Sequence, residues 1–399
     1  MLINLSIFKI YKAAGKPGLL ALLYPVIYFI FSRRREPSAY SVVDFTAYVF
    51  IVYSIVCFAV SYNTIYRGYS DLGKNIISKS PIIWFFVYSI FGILSMLWSV
   101  NYILTGYRAF ECISMGLLFV AIMQNLFKYG NMDMVIKWSL LFCTWNIIWS
   151  IIRMSVWAPD ITTLLTASQF MATTFFYLAI YCAPRGWYKS LIIIMSIFSM
   201  STVAYIGMAF GLISGLWGSQ RVKNLSIIGG LILFLGVVAI GPYEVAKKTI
   251  FFDKKEISIH ETSGRDNLLN ATLETLEEHP LGLGFFSAEP YVIYGKGLFG
   301  VIGAHNSIFS ASMGMGFLGI ITISMFFLFM GRVTFNNAIP TKYRSAFIGC
   351  FCVAFMHCMG NPSVGTRVFG AWMPCMYIFV LISAFYVYGR YYEIEEIEE

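Results

Sequence analysis

The stretch SGRDNLLNATLETLEEHPLGLGFF, residues 263–286, decides the fold by contrast with the chain around it. It reads as a capped, amphipathic, water-facing helix followed by a glycine-rich turn. The chain on either side is built for lipid: 399 residues, 58% apolar and only 12% charged, with 36 Phe, 26 Tyr and 9 Trp. A soluble domain of this length could not cover its surface with so few charges. Repeated apolar runs approach the roughly 20 residues that cross a bilayer core. The expected fold class is all-α: a polytopic membrane protein of about 12 transmembrane helices, with one long, partly helical periplasmic loop between the ninth and tenth spans.

Working outward, the expected spans are 17–32, 43–62, 81–99, 105–126, 134–156, 162–183, 187–202, 203–218, 225–242, 305–330, 344–360 and 370–389. They divide the chain into an N-terminal bundle over 1–242, the loop over 243–304, three C-terminal spans over 305–389 and an acidic cytoplasmic tail over 390–399, expected to fray in solvent. No cleavable signal peptide is expected, because small residues do not close off the first apolar run. Lys and Arg in the short loops set the orientation. With both termini in the cytoplasm, sixteen of the 28 cations fall inside, Lys137, Lys189, Arg332, Lys342, Arg344 and Arg390 among them. Arg33, Arg34 and Arg35 oppose this assignment, whereas Arg108, Arg153 and Arg367 belong to the outer side. The expected location is an inner membrane.

The formal charge of +8 reports cytoplasmic anchors that face anionic lipid. No basic stripe interleaved with aromatics points to nucleic acid. All eight cysteines fall within expected spans, so no disulfide framework is implied. Cys350, Cys352, His357 and Cys358 lie close together, but their spacing fits packed helix residues rather than zinc ligands. No internal repeat appears, nor a matched pair of broken helices of the kind found in inverted-repeat transporters.

Between Gly241 and Ala304 the loop carries six cations against nine acids, so it is no general anion trap. Any phosphate there must be held by a few specific cations. Ser263-x-x-Asp266 has the form of a capping box that starts a helix near 264–278. Leu268, Leu269, Leu273 and Leu276 recur at helical spacing and form its expected apolar face. His279-Pro280 ends it, because proline lacks the N–H donor and disfavours helix just before itself.

His305, in GAHNSIF, stands where the loop re-enters the membrane. A neutral imidazole there can accept a proton near physiological pH, and a capping histidine fits the same position. Arg265 in the first helical turn is a seat for phosphate oxygens, and a solvated arginine paired with Asp266 or Glu261 fits as well. Arg108 and Glu111, one turn apart, pair with each other or face a polar cavity. Arg153 and Arg367 complete a candidate cationic pocket, each also readable as a structural ion pair. His260 and His279 read as surface residues.

The ordered set Ser263, Gly264, Arg265; Pro280, Leu281, Gly282, Gly284, Phe285; His305, Asn306; and Gly314, Gly316, Gly319 resembles the signature of the O-antigen ligase/O-antigen polymerase family. ILSMLWS at Ile93–Ser99 resembles the Ser-x-x-Trp-Ser ending of an early helix in that family. The resemblance implies an extracytoplasmic glycosyltransferase that takes glycan from an undecaprenyl-diphosphate carrier, without nucleotide sugar, cofactor or metal. It further implies that His305 deprotonates the acceptor hydroxyl and that Arg265 binds the departing diphosphate, where electrostatic stabilisation is largest. Arg108, Arg153, Arg367, Asn306 and Glu111 are the expected substrate-binding residues. The chain departs from ligase-like members at SMSTVAYIGMAFG, which lacks an arginine, so a second phosphate cation would come from Arg108, Arg153 or Arg367.

Three functions fit: a polymerase of lipid-linked repeat units, a ligase that moves finished glycan to lipid A–core, and a transporter or flippase of lipid-linked glycan. A transporter would carry its ionisable groups at the bilayer midplane, whereas this chain gathers them in one outer loop. Expected partners are the undecaprenyl-diphosphate-linked oligosaccharide, a glycan or lipid A–core acceptor, membrane lipid and a chain-length regulator.

Overall fold

The computed structural model describes residues 80–129, 132–157, 161–183, 186–197, 202–215, 265–296, 306–360 and 373–398. These residues form helices and turns, with no strand among them. The first helix, α1 (Ile82–Leu94), runs into a 3-10 turn at Ser95–Trp98, and α2 (Tyr102–Tyr129), α3 (Met132–Trp157) and α4 (Ile161–Tyr181) follow. Next come α5 (Trp187–Ile197), α6 (Thr202–Gly215), α7 (Arg265–Glu278) and α8 (Ala288–Gly295). The last three are α9 (Ser307–Thr334), α10 (Thr341–Gly360) and α11 (Met373–Glu398).

The helices fall on the expected runs, and the expected spans at 17–32, 43–62 and 225–242 lie outside the described residues. Among those described, α9 is the helix long and apolar enough by itself to cross a membrane, and Ile82–Trp98, Met171–Tyr181, Trp187–Ile197 and Val203–Ser214 are shorter apolar helices. One boundary differs from expectation: the C-terminal segment expected to fray continues α11 through Glu398.

The core forms around α11. Every residue from Cys375 to Phe385 is buried, in keeping with a helix that is apolar on all sides. Tyr377 stacks on Phe142 of α3 at 5.0 Å, Phe379 meets Phe326 of α9 edge-on at 5.5 Å, and Phe385 meets Phe347 of α10 at 4.9 Å. On the other side of α10, α6 packs closely through Gly207 and Gly211. A Cβ on Gly207 would lie 2.8 Å from the Val353 Cα, and one on Gly211 would lie 2.9 Å from the Gly349 Cα. Small residues four apart let two backbones meet in this way.

The contacts fix two ends of the bundle. At one end Lys342 Nζ and Tyr343 Oη, at the start of α10, bind Asp133 at the start of α3 at 2.7 and 2.6 Å. Lys189 Nζ caps α4 by donating to the Ile180 carbonyl, and Arg344 ties down the 337–339 turn. At the opposite end α1 finishes against Phe285, α2 begins beside it, and α9 begins beneath α7 and α8. The helices between are continuous, so the start of α2, the end of α3 and the start of α9 share that second end.

Candidate active site

The 279–287 segment explains the glycines of the motif. In an unbroken helix the Phe317 N–H would donate to the Met313 carbonyl four residues back. Instead α9 kinks at Gly316 (φ 58, ψ −139), and both groups turn to the loop. Phe317 N–H donates to the Pro280 carbonyl at 3.1 Å, while the Met313 and Gly314 carbonyls accept from Leu283 and Gly284 N–H at 2.9 Å. Main chain docks on main chain, so side chains at the crossing are excluded. A Cβ on Gly316 would overlap the Pro280 carbonyl, and one on Gly284 (φ 104) would overlap the Ser99 hydroxyl. Both glycines also hold a φ that side chains disfavour.

The other face of the loop is gripped by the Ser-x-x-Trp-Ser turn. Trp98 Nε1 donates to the Leu281 carbonyl at 2.8 Å, Val100 N–H to the Leu283 carbonyl at 3.0 Å, and Phe285 N–H to Ser95 Oγ at 3.0 Å. Thr105 Oγ1 donates to the Phe285 carbonyl at 3.0 Å. The hydroxyls of Ser99, Thr105 and Ser287 form a triangle with sides of 2.7 to 2.9 Å. The hydroxyls of Ser95, Ser99, Thr105 and Ser287 therefore all have named partners at this crossing, as burial requires.

Phe286 is the one non-glycine residue with positive φ (62°) among those described, a conformation that costs about 1–2 kcal/mol. Its buried ring lies 4.5 Å from the Arg108 guanidinium carbon, and the Tyr107 ring lies 5.3 Å from the same atom. Beyond it, Pro290 is tolerated in the first turn of α8, where its missing N–H has no helical partner to lose. Glu289, in that same turn, is buried and accepts from Ser310 Oγ of α9 at 2.9 Å.

Helix α7 lies against α9 by a face different from the expected one. Leu268 is buried with Ala271, Leu283, Val292 and Met313, and Phe309 packs on the same cluster. Thr272 and Thr275 complete this face, whereas Leu269 and Leu273 are exposed. The threonines can be buried because their hydroxyls donate to the Leu268 and Ala271 carbonyls at 2.7 and 2.6 Å. Lys296 bridges to Glu274 at 2.6 Å, and that hydrogen bond raises the lysine pKa.

Of the candidate residues, Arg265 is the first residue of α7, Arg108 and Glu111 lie one turn apart in α2, and Arg153 is in the last turns of α3. All four sit on helices that reach the loop end of the bundle. Asn306 is the N-cap of α9, its Oδ1 accepting from Ile308 N–H at 2.7 Å. His305, one peptide before it, lies outside the described residues, as do Arg367 and Ser263. Arg108 meets the π face of Phe286, a contact the sequence did not announce. Trp98 and its serines carried a motif signal, but Phe286, Thr105 and Glu289 carried none. His357, Cys350 and Cys358 are buried helix residues, His357 Nε2 lying 3.0 Å from Thr173 Oγ1.

Residues 187–324 match the family described as O-antigen ligase. Over that segment the chain is similar to the O-antigen ligase family. The match covers about a third of the chain, from α5 into α9, and contains Arg265, the docked loop, His305-Asn306 and the Gly316 kink. No curated protein matches the chain. The matched segment contains Gly282, Gly284 and Gly316, the glycines that make the docking sterically possible. A loop held on both faces gives α7 and α9 a fixed mutual position, which a site built from their first turns requires.

Proposed function

We propose that the chain is a glycan polymerase of a bacterial inner membrane, joining undecaprenyl-diphosphate-linked repeat units on the periplasmic face. The observation that carries this reading is the family match over 187–324, which spans both Arg265 and His305. In this reading the chain has about twelve spans, both termini lie in the cytoplasm, and 243–304 is periplasmic. The separation of Asp133, Lys342, Arg344 and Lys189 from the loop end supports that orientation, because cations gather on the cytoplasmic side.

The reaction is an inverting transfer that needs no cofactor and no metal. His305 takes the proton of the acceptor hydroxyl as its oxygen bonds to the anomeric carbon of the donor. The bond from that carbon to the diphosphate breaks on the opposite face. Arg265, at a helix N-terminus, meets the charge that develops on the leaving group. Arg108 supplies a second cation, with Arg153 and Arg367 as the other cationic contacts of the pocket. Glu111 and Asn306 contribute polar contacts to the glycan. Undecaprenyl diphosphate is the leaving product, and a chain-length regulator is the expected partner.

A second reading is transfer of finished glycan to lipid A–core, favoured by the description of the matching family as O-antigen ligase. The surface-glycan gel profile of a strain lacking this gene separates the two. A polymerase leaves lipid A–core with one repeat unit and no ladder. A ligase leaves the core bare while long glycan accumulates on the carrier. Accumulation of unextended lipid-linked units on the cytoplasmic side identifies a transporter and overturns both.

A further inference from the structure

Exposed apolar side chains gather around the docked loop. Leu97, 84% exposed, precedes Trp98, whose indole N–H donates to the carbonyl of Leu281, itself 52% exposed. Phe317 and Val100 are exposed too, and their N–H groups donate to the Pro280 and Leu283 carbonyls on either side of Leu281. The 3-10 turn, the loop and α9 thus present one apolar surface, which unlike a scattered exposed leucine asks for a partner. It does not end at Phe317. Ile321 and Leu328 are exposed four and eleven residues further on, along the same face of α9. Among the described residues, α9 is the helix long and apolar enough to cross a membrane.

The main chain beneath this surface is bonded within the protein. The carbonyls of Pro280, Leu281, Leu283, Gly284 and Phe285 accept from Phe317 N–H, Trp98 Nε1, Val100 N–H, Ala288 N–H and Thr105 Oγ1. The N–H groups of Gly282, Leu283, Gly284 and Phe285 donate to His279, Met313 and Gly314 carbonyls and to Ser95 Oγ. A turn in water can leave such groups to solvent, whereas irregular backbone at membrane depth must find its partners in protein. Charge also stops where the apolar tip begins: Glu277 and Glu278 are exposed at the end of α7, just before His279-Pro280. Trp98 is a residue type enriched at the level of lipid headgroups. We infer that the Pro280–Leu283 turn, part of a loop read from sequence as water-facing, is seated in the hydrocarbon of the adjacent leaflet. Leu97, Leu281 and Phe317 are its contacts with acyl chains, continuing the lipid-facing stripe of α9. The inference rests on the reading of α9 as a membrane span.

The test replaces Leu281 or Ile321 by the photoreactive residue p-benzoylphenylalanine in the full-length protein, held in nanodiscs of phosphatidylethanolamine and phosphatidylglycerol. Thermal unfolding checks that each variant folds, and mass spectrometry identifies what each captures on irradiation. The same replacement at Leu97 takes the place of Leu281 if that variant does not fold. Adducts to lipid acyl chains at Leu281, as abundant as those at Ile321, are the expected result. Acyl-chain adducts at Ile321 with none at Leu281 overturn the seating of the turn and leave α9 as a span. Their absence at both positions overturns the span and the inference together. Capture of a second copy of the chain at Leu281 in place of lipid overturns the inference as well. No outcome depends on glycan transfer, so the proposed activity stands or falls separately.

Discussion

At Gly316 and Gly284 a single hydrogen atom decides whether α9 and the loop can meet. A methyl group at either position would occupy the Pro280 carbonyl or the Ser99 hydroxyl. Gly316→Ala is therefore expected to destabilise the protein by on the order of 3 kcal/mol, read as a lower unfolding temperature in detergent. Gly295, where a Cβ would meet open space, should tolerate alanine with almost no change. For the chemistry, His305→Ala should lower glycan transfer by about 10² to 10⁴-fold at unchanged protein level. Arg265→Lys should also impair transfer, because a point charge cannot replace a bidentate fork. Wild-type ladders from either variant would remove that residue from its role. The motif residues were legible in the sequence, but their purpose was not. Gly282, Gly284 and Gly316 read as a family signature, and only three-dimensional docking reveals that they admit one backbone to another.

At the scale of elements, the helix over 264–278 was legible from its proline stop and its periodicity, and its buried face was not. Counting leucines selects Leu268, Leu269, Leu273 and Leu276, whereas the bundle buries Leu268, Ala271, Thr272 and Thr275. Hydropathy scales treat threonine as polar and cannot anticipate that its hydroxyl is satisfied by its own helix. Leu268→Ala should cost about 2–4 kcal/mol, whereas Leu273→Ala, at an exposed site, should stay within about 0.5 kcal/mol; thermal unfolding of the two variants checks the face. The kink in α9 was equally hidden, because a glycine in an apolar run reads as helix until another segment competes for its carbonyls. The second loop helix, α8, was missed for a related reason: its first turn contains a proline, which looks like a breaker and is harmless there.

For the whole molecule, composition and run length anticipated the helices that the described residues form. Which residues approach across the bundle was not legible, because Arg108 and Phe286 lie far apart in sequence and share no periodicity. The end opposite the loop offers its own check. The hydrogen bond from Lys342, then that from Tyr343, lowers the Asp133 pKa below its ordinary value of 3.8. A lowered carboxylate pKa adds stability above the unfolded value, and that stability is lost as pH falls through the folded one. Both ion-pair partners are largely exposed, at 61% and 62%, so Asp133→Asn should cost less than about 1 kcal/mol at pH 7. The difference between wild type and variant should shrink as pH falls through the lowered Asp133 pKa.

The central claim is that this chain makes a glycosidic bond at the expense of a lipid diphosphate. The direct measurement uses the purified full-length protein in nanodiscs with undecaprenyl-diphosphate-linked repeat units, following both glycan length and free undecaprenyl diphosphate. Chain extension with one carrier released per bond formed, absent in His305→Ala, is the expected result. Folded wild-type protein that binds the lipid-linked units and releases no carrier, with or without added lipid A–core acceptor, would contradict it.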